Sequence, residues 1–229
     1  PGQSDFVAGL RETLQEAAAV HCVSADIERE AQTYGLELGK SRIIRPAVDP
    51  QYFTPPTDKS ENERFRLVTT GILNWNKGYE YLLMALKELV DFRVDAELHI
   101  LGEGPMEQAV RFSLFDLGLE ERTYLHGRVE PKEVLTQLQA ADAFVLASLS
   151  EGISNAVLEA MSCGLPVVTT DCGGMSEAVT DGVEGFLVPL RDPHSMAQGL
   201  LKLSKDYDLR MSMGKAARER ICGDFKLED

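Results

Sequence analysis

The chain has 229 residues, of which 44% are hydrophobic, and this is enough to bury one sizeable core with some flanking chain. Its formal net charge is -14 at pH 7. This acidic balance excludes nucleic acid as an expected partner, because phosphate backbones bind clustered Lys and Arg. No leader pattern and no run of about 18 apolar residues is recognisable, so we expect a soluble, cytoplasmic protein.

The four cysteines of the chain are too far apart in the sequence to predict a metal site. Cys22, Cys163, Cys172 and Cys222 form no C-x-x-C pair, and no closely spaced histidine completes a ligand set. Reduced thiols fit this pattern best. The histidines are scattered through different predicted elements, which favours structural or surface positions over metal binding or catalysis.

The first part of the chain has too few elements for a core of its own. Residues 10–35 predict a helix, a short strand and a second helix, so we interpret residues 1–49 as the tail of a neighbouring domain with an interdomain segment. Residues 50–63 contain three prolines and a polar run, which is typical of a linker. The main unit is then predicted to span residues 64–229.

From residue 64 onward, apolar β-branched runs alternate with segments of helical periodicity. The predicted strands are FRLVTTG, AELHILG, TYLHG, AFVLAS, PVVTTD and GFLVP, and the fourth is expected to end at Ser148. This alternation predicts an α/β fold with a Rossmann-like doubly wound parallel sheet, covered by helices on both faces. Such sheets bind ligands at the carboxyl ends of their strands.

One of these strand-to-helix junctions, SEGISNAVLEAM, holds two glutamates around a helix that we expect to begin near Asn155. The free amides of a helix N-terminus and its partial positive charge suit an anion, so Gly152 and the first turn could bind a phosphate or diphosphate. Glu159 would lie about one turn further, roughly 6 Å along the axis. A carboxylate there could accept two neighbouring ribose hydroxyls, while Glu151 would face the other side of the phosphates.

On the residues alone, other interpretations stay open. Acidic residues near a helix start often serve only to stabilise the helix dipole, with Ser154 or Asn155 as an ordinary cap. Glu151 and Glu159 could also be the acid and nucleophile of a glycosidase, which needs carboxyls about 5 to 9.5 Å apart. A nicotinamide enzyme is disfavoured, since no G-x-G-x-x-G follows the first strand of the main unit.

The stretch EGISNAVLE, followed by AMSCGLPVVTTDCGGMSEAVTDGVEGFLVP, closely resembles the E-x7-E signature of retaining GT-B glycosyltransferases of the glycosyltransferase group 1 family, family 4 in sequence classification. The likeness extends over nearly the whole chain from about residue 20. It includes the segments IIRPAVDPQYFTP, VTTGILNWNKGYEYLLMAL, HILGEGPMEQAV and LHGRVEPKEVLTQLQAADAFVLASLSEG. The resemblance implies the C-terminal, donor-binding half of a GT-B fold.

The resemblance also implies roles for individual residues. Glu151 and Lys77 would be catalytic: Glu151 would contact the donor sugar near its reacting carbon, and Lys77 would neutralise the departing diphosphate. The alternative for Lys77 is a solvated lysine at a helix start. Glu159 would hold the ribose hydroxyls. The other donor-binding residues would be Gly71, Gly152, Ile153, Ser154, Asn155, Arg128 and Val129, the last two at the base edge. On the residues alone, Gly173 and Gly174 either give a diphosphate close access to the backbone or make a tight turn before the next helix.

One position departs from the family pattern. Ile72 stands where the family usually has the arginine that partners the lysine on the diphosphate. Either another cation reaches in, with Arg128 a candidate, or the donor binds more weakly or differently. The family's N-terminal acceptor domain and final crossover helix are absent from this sequence, so we expect the chain to bind donor nucleotide and to transfer no sugar by itself.

The function implied for the whole enzyme is sugar transfer from a UDP- or GDP-sugar to a glycan or lipid-linked acceptor, with retention of anomeric configuration. The acceptor would bind through the missing N-terminal domain, and the full enzyme could associate peripherally with a membrane. The resemblance implies no metal and no cofactor besides the nucleotide sugar. Two alternatives are a non-catalytic nucleotide-sugar-binding module and a sugar-nucleotide epimerase of similar fold.

Overall fold

The computed structural model describes residues 3–58 and 62–227 of an α/β protein. Its strands, in chain order, are β1 Val20–Cys22, β2 Ser41–Ile43, β3 Phe65–Thr70, β4 Ala96–Leu101, β5 Thr123–Gly127, β6 Ala143–Leu146, β7 Val167–Thr170 and β8 Gly185–Val188. Its helices are α1 Gln3–Glu16, α2 Ala25–Thr33, α3 Tyr79–Asp91, α4 Glu107–Leu117, α5 Pro131–Ala140, α6 Asn155–Ser162, α7 Met175–Ala178, α8 Pro193–Lys205 and α9 Tyr207–Asp224.

Six of the strands form one parallel sheet with the order β5-β4-β3-β6-β7-β8. The chain moves outward from β3 to β5, then returns and continues on the other side from β6 to β8. The predicted doubly wound parallel sheet is therefore confirmed. The direction of winding reverses between β3 and β6, and ligands bind such sheets in the crevice at this reversal.

The sheet is buried on both faces because its strands are continuous apolar runs rather than alternating ones. Leu67 and Val68 are neighbours in β3, both 0% exposed, and belong to different core clusters. Leu67 packs with residues of α3 and α8, whereas Val68 packs with residues of α6 and α9. The helices on each face thus hold the carboxyl ends of the strands in fixed positions.

The first part of the chain forms a small unit beside this sheet. Strands β1 and β2 pair in parallel, with Val20 opposite Ser41, over an apolar cluster of Leu14, Cys22 and Leu36. Strand β2 was not predicted from the sequence. Its three residues, SRI, include only one apolar side chain, so no periodic pattern marks them; their partner strand lies 21 positions earlier (41 minus 20).

One carboxylate attaches this small unit to the main sheet. Oε1 of Glu177, on α7, accepts hydrogen bonds from the backbone N–H groups of Ala25 and Asp26 at 2.7 and 3.2 Å. Its Oε2 accepts from Nε and Nη2 of Arg45 at 3.0 and 2.7 Å. Because unpaired amides at a helix N-terminus favour an anion, Glu177 acts as a second cap for α2 beside Ser24.

The predicted linker, residues 50–63, begins along α9. Arg218 donates to the carbonyl oxygens of Pro50 at 2.7 Å and Phe53 at 2.8 Å, and also to the carbonyl of Ser162 at 2.7 Å. Residues 59–61 of the predicted linker lie outside the described residues. The three proposed units, with boundaries at residues 49 and 63, stay a prediction.

Three further features concern the whole described part of the chain. Cys22, Cys163 and Cys172 are buried free thiols, and Cys222 is an exposed one. Within residues 3–58 and 62–227, no three or more His, Cys, Asp or Glu side chains cluster in a way that could hold a metal ion. None of the helices over the same residues combines the length and hydrophobicity needed to cross a membrane.

Candidate functional site

The loops that follow β3 and β6 meet at the carboxyl edge of the sheet. The backbone N–H of Leu149 donates to the carbonyl of Asn76 at 2.7 Å. Gly78 has a φ of 60°, and a side-chain carbon there would overlap the carbonyl oxygen of Ala147. Only glycine fits such a position without strain. These contacts hold the two loops against each other, and they bring Lys77 of the first beside Glu151 of the second.

Lys77 and Glu151 form an ion pair between Nζ and Oε1, with side chains that are 16% and 15% exposed. The same Oε1 accepts a hydrogen bond from Oγ of Ser148 at 2.8 Å. The structure therefore brings the two predicted catalytic residues together. Ser148 was not among the predicted site residues. Its position at the end of a predicted strand and three residues before Glu151 is the sequence feature that could have indicated a contact with that carboxylate.

Ser148 lies just beyond β6, which ends at Leu146 and not at Ser148 as predicted. The last paired residues of β6 and β7 are Leu146 and Thr169. Two residues further on, the carbonyl of Ser148 accepts a hydrogen bond from the hydroxyl of Thr170 at 2.5 Å. A side chain thus replaces the backbone partner at this point, and this ends the strand early while keeping Ser148 fixed.

Helix α6 begins at Asn155, as predicted, and its N-terminus faces the same edge. Ser154 occupies the N-cap position, as the alternative of an ordinary cap predicts, but its side chain makes no capping hydrogen bond. Its carbonyl accepts from the N–H groups of Val157 and Leu158, both at 3.1 Å. Ile153 is 7% exposed within the core, so it can offer a ligand only its backbone.

Glu159 lies one turn inside α6, where it is largely buried. Burial raises the pKa of its carboxyl to about 7. None of the ion pairs found among residues 3–58 and 62–227 includes it. The carboxyl opens on a cavity of about 140 Å³ lined by Ala47, Val48, Asp49, Phe53, Asn155 and Leu158.

The glycines around Glu151 are required for packing. Gly173 has a φ of 54°, and a side-chain carbon there would overlap the carbonyl oxygen of Glu151. A side chain at Gly174 would overlap Ser24, and one at Gly152 would overlap Val23. That Gly173 and Gly174 also give a diphosphate access to the backbone stays a prediction.

A second cleft, of about 550 Å³, opens between the loops after β3, β4 and β5. Its lining includes three predicted donor-binding residues, Gly71, Arg128 and Val129. Ile72 also lines it, together with the apolar side chains of Leu101, Val129 and Val134. The cleft therefore combines apolar walls with polar backbone, which is the usual composition of a small-molecule site.

Arg128 is the cation in the lining of this cleft. Its side chain is 84% exposed, and its guanidinium lies 3.9 Å from Oε1 of Glu103. Ile72 is 61% exposed in the same lining. The structure thus places Arg128, the predicted substitute cation, in the same cleft as Ile72, the residue that stands where the family usually has an arginine. A long exposed guanidinium with one distant partner is free to reorient toward an anion.

A partly buried polar network joins β4 and β5. Nδ1 of His99 is 2.9 Å from Nε2 of His126, and Nε2 of His99 is 3.0 Å from Oε1 of Glu97. Burial is the main cause that lowers the pKa of both histidines, and the nearby Arg66 adds to it. These histidines are scattered in the sequence, and only the pairing of β4 with β5 brings them together.

Comparison with known families gives a match to the family described as Glycosyl transferases group 1, over residues 64–206. Similar curated proteins include a D-inositol 3-phosphate glycosyltransferase of Paenarthrobacter aurescens, 30% identical over 84% of this chain and 50% of that protein. The amylovoran biosynthesis glycosyltransferase AmsK of Erwinia amylovora is 29% identical over 83% of this chain and 48% of that protein. The chain spans about half the length of these relatives.

Among solved structures, the fold resembles that of Anabaena HepE in complex with UDP-glucose. The TM-score is 0.86 at 19% identity, over 99% of this chain and 65% of the HepE chain. A likeness at this identity concerns the fold. It confirms the prediction that the doubly wound sheet is of the GT-B type.

Proposed function

The chain belongs to the Glycosyl transferases group 1 family, and from this premise we propose that it is the donor-binding part of a retaining glycosyltransferase. The whole protein would transfer a sugar from a UDP- or GDP-sugar to a glycan or lipid-linked acceptor. The proposal includes no metal and no cofactor besides the nucleotide sugar. The acceptor would bind to a part of the protein outside this sequence.

The observation that carries the proposal is the Lys77–Glu151 ion pair beside the N-terminus of α6. A diphosphate at this position would meet the ammonium of Lys77 together with the amides and the positive dipole end of the helix. Negative charge develops on the diphosphate when its bond to the sugar breaks. A cation held at the diphosphate in a partly buried site stabilises that charge more in the transition state than in the ground state.

Two further features fit a nucleotide sugar. The carboxyl of Glu159, one turn beyond the helix N-terminus, would accept the two ribose hydroxyls as an anion. The cleft lined by Leu101, Val129 and Val134 would hold the base. The neighbouring fold of HepE binds UDP-glucose in its own crystal structure, which supports a uridine nucleotide as the first donor to test.

In the proposed reaction, the bond between the anomeric carbon and the diphosphate oxygen breaks, and Lys77 compensates the charge left on that oxygen. The acceptor hydroxyl forms the new bond on the face that the diphosphate leaves, so the configuration is retained. Its proton passes to the departing diphosphate. Glu151 would contact the donor sugar beside the reacting carbon and keep it oriented during this exchange.

A second candidate function is a nucleotide-sugar-binding module without catalysis. Its support is Ile72, which is 61% exposed in the base cleft and offers no charge to the diphosphate. The two candidates differ in their dependence on Glu151. In the full-length protein, Glu151→Gln would abolish transfer while leaving folding intact if the protein is an enzyme, and it would change nothing measurable in a module.

The test of the donor site is calorimetric titration of the chain with UDP and with GDP, in the presence of a chelator. We expect one nucleotide to bind, and Glu159→Ala and Lys77→Ala each to weaken it about tenfold or more, since each removes a charge-assisted hydrogen bond worth about 1.5 to 3 kcal/mol. Glu219→Ala and Lys87→Ala are matched controls, because both residues form i,i+4 pairs away from the site. Absence of binding at millimolar nucleotide, or equal losses in the controls, would refute the proposal.

A further inference from the structure

We propose that Ser148 is a positioning residue that holds the Glu151 carboxylate in place when Lys77 turns to the donor diphosphate. This inference rests on the proposed function, because it concerns the same site in its ligand-bound state. Its basis is that a single oxygen, Oε1 of Glu151, accepts from both Lys77 and Ser148.

The two hydrogen-bond donors to Glu151, Lys77 and Ser148, should respond differently when a diphosphate binds. A lysine ammonium is a compact charge on a flexible four-carbon stem, so a diphosphate that arrives beside Glu151 competes for it. The Ser148 hydroxyl is neutral, is carried on a single carbon and lies 2.8 Å from Oε1. It has no comparable attraction to the diphosphate. When Lys77 is drawn to the phosphates, the Ser148 hydroxyl therefore remains on the carboxylate.

Ser148 is itself held rigidly from the neighbouring strand. It is 0% exposed, and its carbonyl accepts from the hydroxyl of Thr170, which is 2% exposed, at 2.5 Å. The Thr170 hydroxyl lies 3.7 Å from the sulfur of Cys172. A buried group with fixed partners cannot relax far when a ligand enters, so the direction of the Ser148 hydroxyl is set by β7 and not by the ligand.

The consequence concerns the sugar and not the nucleotide. The donor contacts that the proposed function gives to Lys77 and Glu159 are made with the diphosphate and the ribose, and these contacts are the same in a free nucleoside diphosphate. Glu151 is the residue assigned to the sugar. Loss of the Ser148 hydroxyl should therefore change the difference in affinity between a sugar nucleotide and its free nucleoside diphosphate.

The experiment measures that difference by calorimetry with UDP and UDP-glucose, and with GDP and GDP-mannose. For the pair that binds, we expect Ser148→Ala to leave the nucleoside diphosphate affinity within about twofold and to weaken the sugar nucleotide about tenfold, the effect of one hydrogen bond to a charged group. Thr170→Val, which keeps the side-chain volume, should also weaken the sugar nucleotide selectively, by a smaller factor than Ser148→Ala.

Ser162→Ala is the matched control. This serine is also 0% exposed, but its hydroxyl bonds to Phe53 and Arg218, at the far end of α6. Its loss should lower thermal stability and leave both affinities in their original ratio. Equal weakening of both ligands by Ser148→Ala, or no weakening, overturns the positioning role even if Glu159→Ala still weakens nucleotide binding as the proposed function expects. Failure of the unmodified chain to bind any of the four ligands overturns the proposed function together with this inference.

Discussion

Glu151 and Glu159 lie eight positions apart in the sequence, yet their surroundings differ in most physical respects. Glu151 lies in the loop before α6, where Lys77 balances its charge and Ser148 donates to the same oxygen. Glu159 lies inside the helix, where burial raises its pKa to about 7, and no ion pair in the described part of the chain reaches it. One carboxylate is paired before any ligand arrives, whereas the other changes its charge near neutral pH.

The difference also concerns what holds each residue in place. The helix backbone and its buried face fix Glu159, because its neighbour Leu158 is 0% exposed. Three loops from three strand ends fix Glu151. Two of them pack through Gly78 and Gly173, which have positive φ and where a side-chain carbon would overlap backbone atoms. A residue on a loop thus depends on many distant parts of the chain, while a residue on a helix depends mainly on its own segment.

The largest expected effect comes from breaking the loop contact behind Glu151. Gly173→Ala should lower the free energy of unfolding by about 3 to 5 kcal/mol, because the new carbon overlaps the Glu151 carbonyl in addition to the cost of the positive φ. Gly182→Ala is the control: its φ is 80° and nothing lies within 4 Å, so about 1 kcal/mol is expected. Chemical denaturation of both variants measures the difference, and equal costs would show that the overlap is relieved without strain.

The next effect isolates Glu159. Its folded-state pKa of about 7 lies above its ordinary value of 4.5, so between these pH values the folded state binds more protons and stability falls as pH rises. Glu159→Gln removes this cost and should raise the free energy of unfolding by about 2 to 3 kcal/mol at pH 8, with little change at pH 4.5. Denaturation curves at both pH values measure it.

The same residue should make nucleotide binding depend on pH. Ribose hydroxyls bond best to the anion, so affinity should rise up to about tenfold per pH unit below 7 and level off above it. Glu159→Gln should bind more weakly and show no such slope. A slope that survives in this variant would assign the titration to another group.

The smallest expected effect concerns the His99 and His126 pair. Its contribution to the free energy of unfolding changes with pH in the opposite direction to that of Glu159, over an overlapping range of pH. Both pKa values are lowered from 6.5, first by burial, so the unfolded state binds more protons and stability falls as pH drops below 6.5. His126→Gln should flatten this fall in denaturation measured from pH 6.5 to 5. His194→Gln is the control, because that side chain is 65% exposed. An unchanged slope in His126→Gln would show that other groups cause the loss of stability.

The sequence predicted the six main strands and the helix start at Asn155, because apolar runs and local turn signals determine them. It placed Lys77 and Glu151 in one site only through resemblance to a family, since 74 residues separate them. It missed Ser148 and Glu177, whose roles arise from contacts between different elements. A hydroxyl that donates to a carboxylate three residues further along the same loop leaves no periodic trace in the sequence.

The four hydrogen bonds at Glu177 constrain how the protein can move. They join α2 and Arg45 to α7, and α7 follows Gly174, which packs against Ser24. A rotation of the small unit relative to the sheet must either break all four bonds together or carry α7 with it. Helix α7 begins shortly after Gly173, which packs against the carbonyl of Glu151. A rotation that carried α7 with the small unit would therefore also displace the loop that holds Glu151.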